Sequence, residues 1–69
     1  MSIGEKIKLL RDENGINAYQ CSLKLQVSPT RFTYIENGRN KPSMEMIIKI
    51  CKYFNVSSDW LLGLKEERN

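Results

Sequence analysis

The chain has 69 residues, 41% of them hydrophobic and 28% charged, with a formal net charge of +3 and no histidine. It is too short for a two-domain enzyme with an interdomain cleft and too apolar for a disordered segment, which leaves one small folded domain. Two cysteines, Cys21 and Cys51, fall short of the close-set Cys/His ligands of a structural zinc site, so no metal and no cofactor is expected.

Ser2 followed three residues later by Glu5 is a capping box and starts a first helix, on which Ile3, Ile7 and Leu10 share a face. Asn14-Gly15 stops it. Asn17 is an N-cap for a short second helix that places Ala18, Cys21 and Leu25 on one side. After Gln26-Val27, Ser28 suits an N-cap and Pro29 the first helical position, where a missing N–H costs nothing. The third helix turns Phe32 and Ile35 inward and ends at Asn37-Gly38. A link of about three residues makes the second and third helices cross steeply, as in a helix-turn-helix. Arg39-Asn40-Lys41-Pro42 is a loop, and Ser43 caps a fourth helix carrying Ile47, Ile50, Cys51 and Phe54 at helical spacing, with Ile48 also apolar. Asn55-Val56 breaks it. Ser57 caps a fifth helix through Asp59, Trp60, Leu61 and Leu62, with Asp59 near its positive end and Gly63 as the stop. Nothing alternates with period two, so the fold class is all-α, five helices over residues 1–64, with 65–69 a polar C-terminal tail expected to fray.

Glu5, Lys6 and Lys8 interrupt the N-terminal apolar residues, so no signal peptide is expected, and no run reaches the ~20 apolar residues of a membrane span. The expectation is a cytoplasmic protein, without membrane contact, whose thiols stay reduced as small buried hydrophobes. The charge is unevenly spread. Residues 1–16 and 43–69 are each balanced, whereas residues 17–42 hold Lys24, Arg31, Arg39 and Lys41 against Glu36 alone. The whole excess sits where a polyanion-binding face would need it.

The stretches LLRDENGIN (9–17), VSPTRFTYIENG (27–38), KPS (41–43) and KYFNVSSDWLLG (52–63) together resemble the lambda-repressor-like helix-turn-helix proteins of the Cro and Xre type. The likeness runs from about Ile3 to Leu64. It implies a compact five-helix DNA-binding domain whose helix-turn-helix is helices two and three, with the recognition helix, about 28–37, in the major groove. Ser28, Pro29, Thr30, Thr33 and Tyr34 are then the candidates for base contacts, the threonines through hydroxyls or through methyls against thymine. Arg31, Arg39, Asn40 and Lys41 are candidates for phosphates, which set position and affinity rather than sequence choice. The resemblance also implies a structural ion pair between Arg11 and Glu36.

Four positions depart from the family pattern. Ala18 stands where a phosphate- or base-contacting Gln is usual, and Gln26 where the tight turn has glycine, so Gln26 must accept a positive φ at a cost near 1 kcal/mol. Asn40 replaces an arginine, with Arg39 placed to substitute for it. Tyr19, Gln20 and Leu23 replace outer glutamates, and Tyr19 and Leu23, four apart, would share a surface. Two functions follow. The first is a sequence-specific double-stranded DNA-binding transcriptional regulator, expected to be a homodimeric repressor, with Trp60, Leu61, Leu62 and Leu64 near the dimer contact and Trp60 itself more a core residue. The second is a protein-interaction module on the same fold, antitoxin-like or a silencing partner, that uses the Tyr19/Leu23 surface for a regulatory protein partner. No catalytic residues are evident: a nucleophile needs a neighbouring base, and neither cysteine has one in view.

Overall fold

The structure, a computed structural model, describes residues 1–69. Five helices follow one another: α1 (Ile3–Glu13), α2 (Ala18–Lys24), α3 (Pro29–Glu36), α4 (Met44–Phe54) and α5 (Ser58–Leu61), with no strand. Each begins on a side chain that accepts the backbone N–H three residues on: Ser2 from Glu5, Asn17 from Gln20, Ser28 from Arg31, Ser43 from Met46 and Ser57 from Trp60. Such a cap stabilises a helix by about 1 kcal/mol. It matters most for α2 and α5, which have 7 and 4 residues and are too short to persist alone. The Ser2–Glu5 box is closed in both directions, and Asn17 and Gln20 form a second one.

Left-handed backbone at a residue other than glycine marks two exits. Gln26 has φ 58° in the link between α2 and α3, and Asn55 has φ 56° as the C-cap of α4. Asparagine tolerates that conformation; glutamine does so under strain. The link itself is residues 25–28, short enough to bring α2 directly against α3.

The core comprises Ile7, Leu10, Cys21, Leu25, Phe32, Ile35, Met46, Ile50, Val56, Trp60 and Leu61. The α4 seam differs from its sequence pattern. Met46 and Ile50, one turn apart, point to the centre, while Ile47, Cys51 and Phe54 are only partly buried and Ile48 is exposed. The helix is apolar around most of its circumference, so periodicity alone does not select the seam. Val56, just past the Asn55 C-cap of α4, is also core. Cys21 is fully buried, and desolvation pushes its thiol up to about 11; burial raises Cys51 as well, so both stay protonated near neutral pH.

Two charged side chains, Lys6 and Arg68, gather on Trp60. Lys6 is buried, with its ammonium donating to the Trp60 carbonyl and lying 5.0 Å from the indole centroid. The polar tail touches the rest of the domain through Arg68. Arg68 accepts the Ser57 N–H through its carbonyl, donates two bonds to Glu13 at 2.7 and 2.8 Å, and lies 5.1 Å from the centroid of the same Trp60 ring. An indole face and an open backbone donor give the tail a seat that its polar composition conceals.

Candidate nucleic-acid interface

Helix α3 has two unlike sides, and α1 fixes how it is turned. Phe32 and Ile35 are 0% and 1% exposed. Next to them Glu36 is held by Arg11, whose Nε and Nη2 donate to the two carboxylate oxygens at 2.6 and 3.1 Å. Both side chains are nearly closed off, at 13% and 9% exposure, and the hydrogen bonds to Glu36 raise the Arg11 pKa further. Gly4 on α1 lies against the same end of α3. A β-carbon there would meet the Ile35 carbonyl oxygen at 2.8 Å and come closer still to that of Glu36. The glycine allows the two backbones to approach, and the ion pair sets the rotation of α3 at that approach.

Turned this way, α3 leaves Ser28, Pro29, Thr30, Arg31 and Thr33 exposed, with Tyr34 38% exposed. The roles within this set divide. Ser28 Oγ already accepts the Arg31 N–H at 3.1 Å, which ties the hydroxyl to the helix start and leaves its proton and one lone pair for another partner. Arg31 stands to the side, lining a cleft with Gln26, Ser43, Glu45 and Lys49 where α4 begins. Thr30, Thr33 and Tyr34 have no internal side-chain hydrogen bond.

The following turn folds back on α3. Gly38, at φ +80°, reverses the chain so that the Arg39 and Asn40 N–H groups both donate to the Tyr34 carbonyl, at 2.8 and 3.3 Å. The Arg39 guanidinium then lies 5.4 Å from the Tyr34 ring centroid. Asn40 and Lys41 are exposed beyond it and border an apolar cleft lined by Ile3, Ile35, Ile47 and Leu62. None of Lys24, Arg31, Arg39 and Lys41 takes part in a salt bridge, while Glu36, the one acid of this stretch, is turned inward onto Arg11. The local positive charge therefore faces solvent without internal compensation.

The other expected surfaces are partly open. Tyr19 and Leu23 are 60% and 55% exposed on α2. Gln20 is exposed beside them, but its side-chain oxygen caps the Asn17 N–H at 3.0 Å, and Ala18 is half-buried. Near the C-terminus Trp60 and Leu61 are core, while Leu62 and Leu64 are open. Sequence reasoning missed Gly4 and Lys6. A glycine in the first turn of an otherwise regular helix was the available sign of a close approach; nothing in the sequence separates Lys6 from surface lysines.

The helix-turn-helix domain family matches residues 4–67. The chain is 29% identical over 66 residues to the HTH-type transcriptional regulator ImmR of Bacillus subtilis (strain 168), covering 96% of this chain and 52% of that protein. It is 35% identical over 66 residues to the HTH-type transcriptional activator BcrR of Enterococcus faecalis, again over 96% of this chain but 32% of that protein. The chain thus spans about half the length of one curated relative and a third of the other. Among solved structures it superposes with a TM-score of 0.82 on the P22 c2 repressor protein, determined in complex with synthetic operator 9T in the presence of Tl+. That match covers 90% of this chain and 94% of the other at 24% identity, a likeness of fold. With its five helices in the repressor-like arrangement and nearly its whole length matched, this chain belongs to the helix-turn-helix domain family.

Proposed function

We propose that the chain binds double-stranded DNA sequence-specifically as a transcriptional regulator in the cytoplasm, with α3 in the major groove. The observation that carries this reading is the uncompensated positive charge of residues 17–42: four cations in no salt bridge, with the one carboxylate of that stretch locked inward. Phosphates attract such a face, and its salt dependence follows from the counterions released. Thr30, Thr33 and the exposed edge of Tyr34 meet base edges, while Arg31, Arg39, Asn40 and Lys41 serve the backbone. ImmR and BcrR, by their names a regulator and an activator of transcription, support the same class of function. We favour repression, since occupying a site is sufficient for it, and a homodimer, since one domain of this size buries little surface on DNA. Leu62 and Leu64 are the open residues at the expected dimer contact. No catalytic step belongs to this reading.

The test is selection from a random duplex pool at low and near-physiological salt. A palindrome with half-sites about one helical turn apart supports a dimeric reader. Six phosphate contacts per dimer would give a log–log salt slope near −5, that is about −0.9 for each. Arg39→Ala with Lys41→Ala should abolish this binding. If no site is enriched and weak binding vanishes with salt, a second reading takes over, a protein-interaction module. The exposed Tyr19–Leu23 pair, one turn apart on α2, favours it.

A further inference from the structure

The four arginines of the chain are held in different ways. Arg11 and Arg68 direct their N–H groups at the carboxylates of Glu36 and Glu13. Arg31 is exposed beside a cleft. Arg39 lies over an aromatic ring, 5.4 Å from its centroid, with no carboxylate within salt-bridge distance. A ring face holds a guanidinium by its plane and leaves the five N–H donors at its edge free.

The backbone enforces this arrangement. Gly38 reverses the chain, and the Tyr34 carbonyl receives the N–H groups of Arg39 and Asn40, which places residue 39 back over residue 34. These bonds belong to the main chain, so the turn does not depend on the Tyr34 side chain. The ring determines only whether the cation stays in place.

We infer that Tyr34 is a positioning residue, whose ring braces the Arg39 guanidinium with its donors free for a DNA phosphate. This rests on the DNA reading above and changes the role given to Tyr34 there: its face belongs to Arg39, and only its edge and hydroxyl remain for the groove. An unbraced arginine must be ordered when DNA arrives, whereas a braced one has lost part of that freedom already. The consequence is a contact that strengthens binding to all sequences alike.

The experiment measures affinity for the selected duplex and for a scrambled one across a salt series, with wild type, Tyr34→Phe, Tyr34→Leu, Arg39→Ala and Tyr34→Leu/Arg39→Ala. Arg39→Ala should flatten the log–log salt slope by about 0.9 per protomer. Tyr34→Leu, which keeps apolar bulk but removes the ring, should weaken both duplexes by about two- to fivefold, the range of an exposed cation–π contact. Tyr34→Phe, which keeps the ring and gives up only the hydroxyl, should keep wild-type affinity for the scrambled duplex, so that the loss seen there with leucine belongs to the ring. In the Arg39→Ala background the leucine change should add nothing. The free wild-type protein supplies a readout that needs no variant: the Arg39 δ-methylene protons should be shifted upfield by the ring. An equal leucine penalty with and without Arg39, a changed base preference with scrambled binding intact, or an unshifted δ-methylene would each overturn the inference and leave DNA binding standing. A wild-type protein that binds neither duplex would overturn both.

Discussion

The two sides of α3 show how one 8-residue helix can be held tightly and still be available. The inner side is dry and over-determined: Phe32 and Ile35 in the core, Glu36 gripped by Arg11, and the α1 backbone at contact through Gly4. The outer side carries Thr30, Thr33 and Tyr34 with no internal side-chain hydrogen bond, and its one organised feature is the Arg39 turn. Stability belongs to one side and recognition to the other, so substitutions should separate the two.

The largest effect is expected at the ion pair. Glu36→Ala leaves the nearly closed-off Arg11 guanidinium with only the exposed Asp12, 3.2 Å away, as a partner and should cost about 3 kcal/mol in denaturant unfolding. Replacing both members, as Arg11→Met with Glu36→Leu, should recover most of that loss; a double variant as unstable as the single one would mean that the pair itself, rather than an orphaned charge, holds the seam. Gly4→Ala comes next, at about 3 kcal/mol, because its β-carbon meets backbone carbonyls that cannot turn aside. Gln26→Gly should act in the opposite direction, stabilising by up to about 1 kcal/mol as the positive φ is relieved. On the outer side, Thr30→Ala with Thr33→Ala should stay within about 0.5 kcal/mol of wild type in unfolding while binding to a selected duplex falls at least tenfold. Comparable losses in both assays would remove the separation between the two sides.

The smallest effect is the response to acid. Hydrogen bonds from Arg68 hold the Glu13 carboxyl below its ordinary 4.5. A carboxylate depressed in the folded state adds its stability above the unfolded pKa and loses it as pH falls through the folded one. The melting temperature should therefore drop on acidification below 4.5, and Glu13→Gln should make the drop shallower. Glu5, lowered by its bonds to Ser2, contributes in the same direction and keeps the slope from vanishing.

The helix starts were legible because each is a local event. Ser or Asn before an amphipathic run states its own geometry, and all five N-caps lie where the sequence places them. The inward pair Phe32 and Ile35 was legible for the same reason, since helical spacing fixes which residues share a side. Less legible was whatever depends on a distant partner. Met46 rather than Ile47 enters the core because α4 rolls to meet the other helices. Lys6 is buried because Trp60, fifty-four residues later, offers a carbonyl and a ring. The tail is seated because Glu13 and Trp60 happen to converge there. At the interface, side-chain type revealed the exposed set but not that Ser28 is engaged as a cap or that Arg39 lies on Tyr34.

The five N-caps also bear on time. Each helix can start from residues adjacent in the chain, and short links join the helices in sequence order, so little slow loop closure precedes packing. Helical domains rich in local contacts fold in microseconds to milliseconds, whereas a ribosome adding roughly 5–20 residues per second needs several seconds for a chain of this length. Folding of the single chain is then faster than its synthesis.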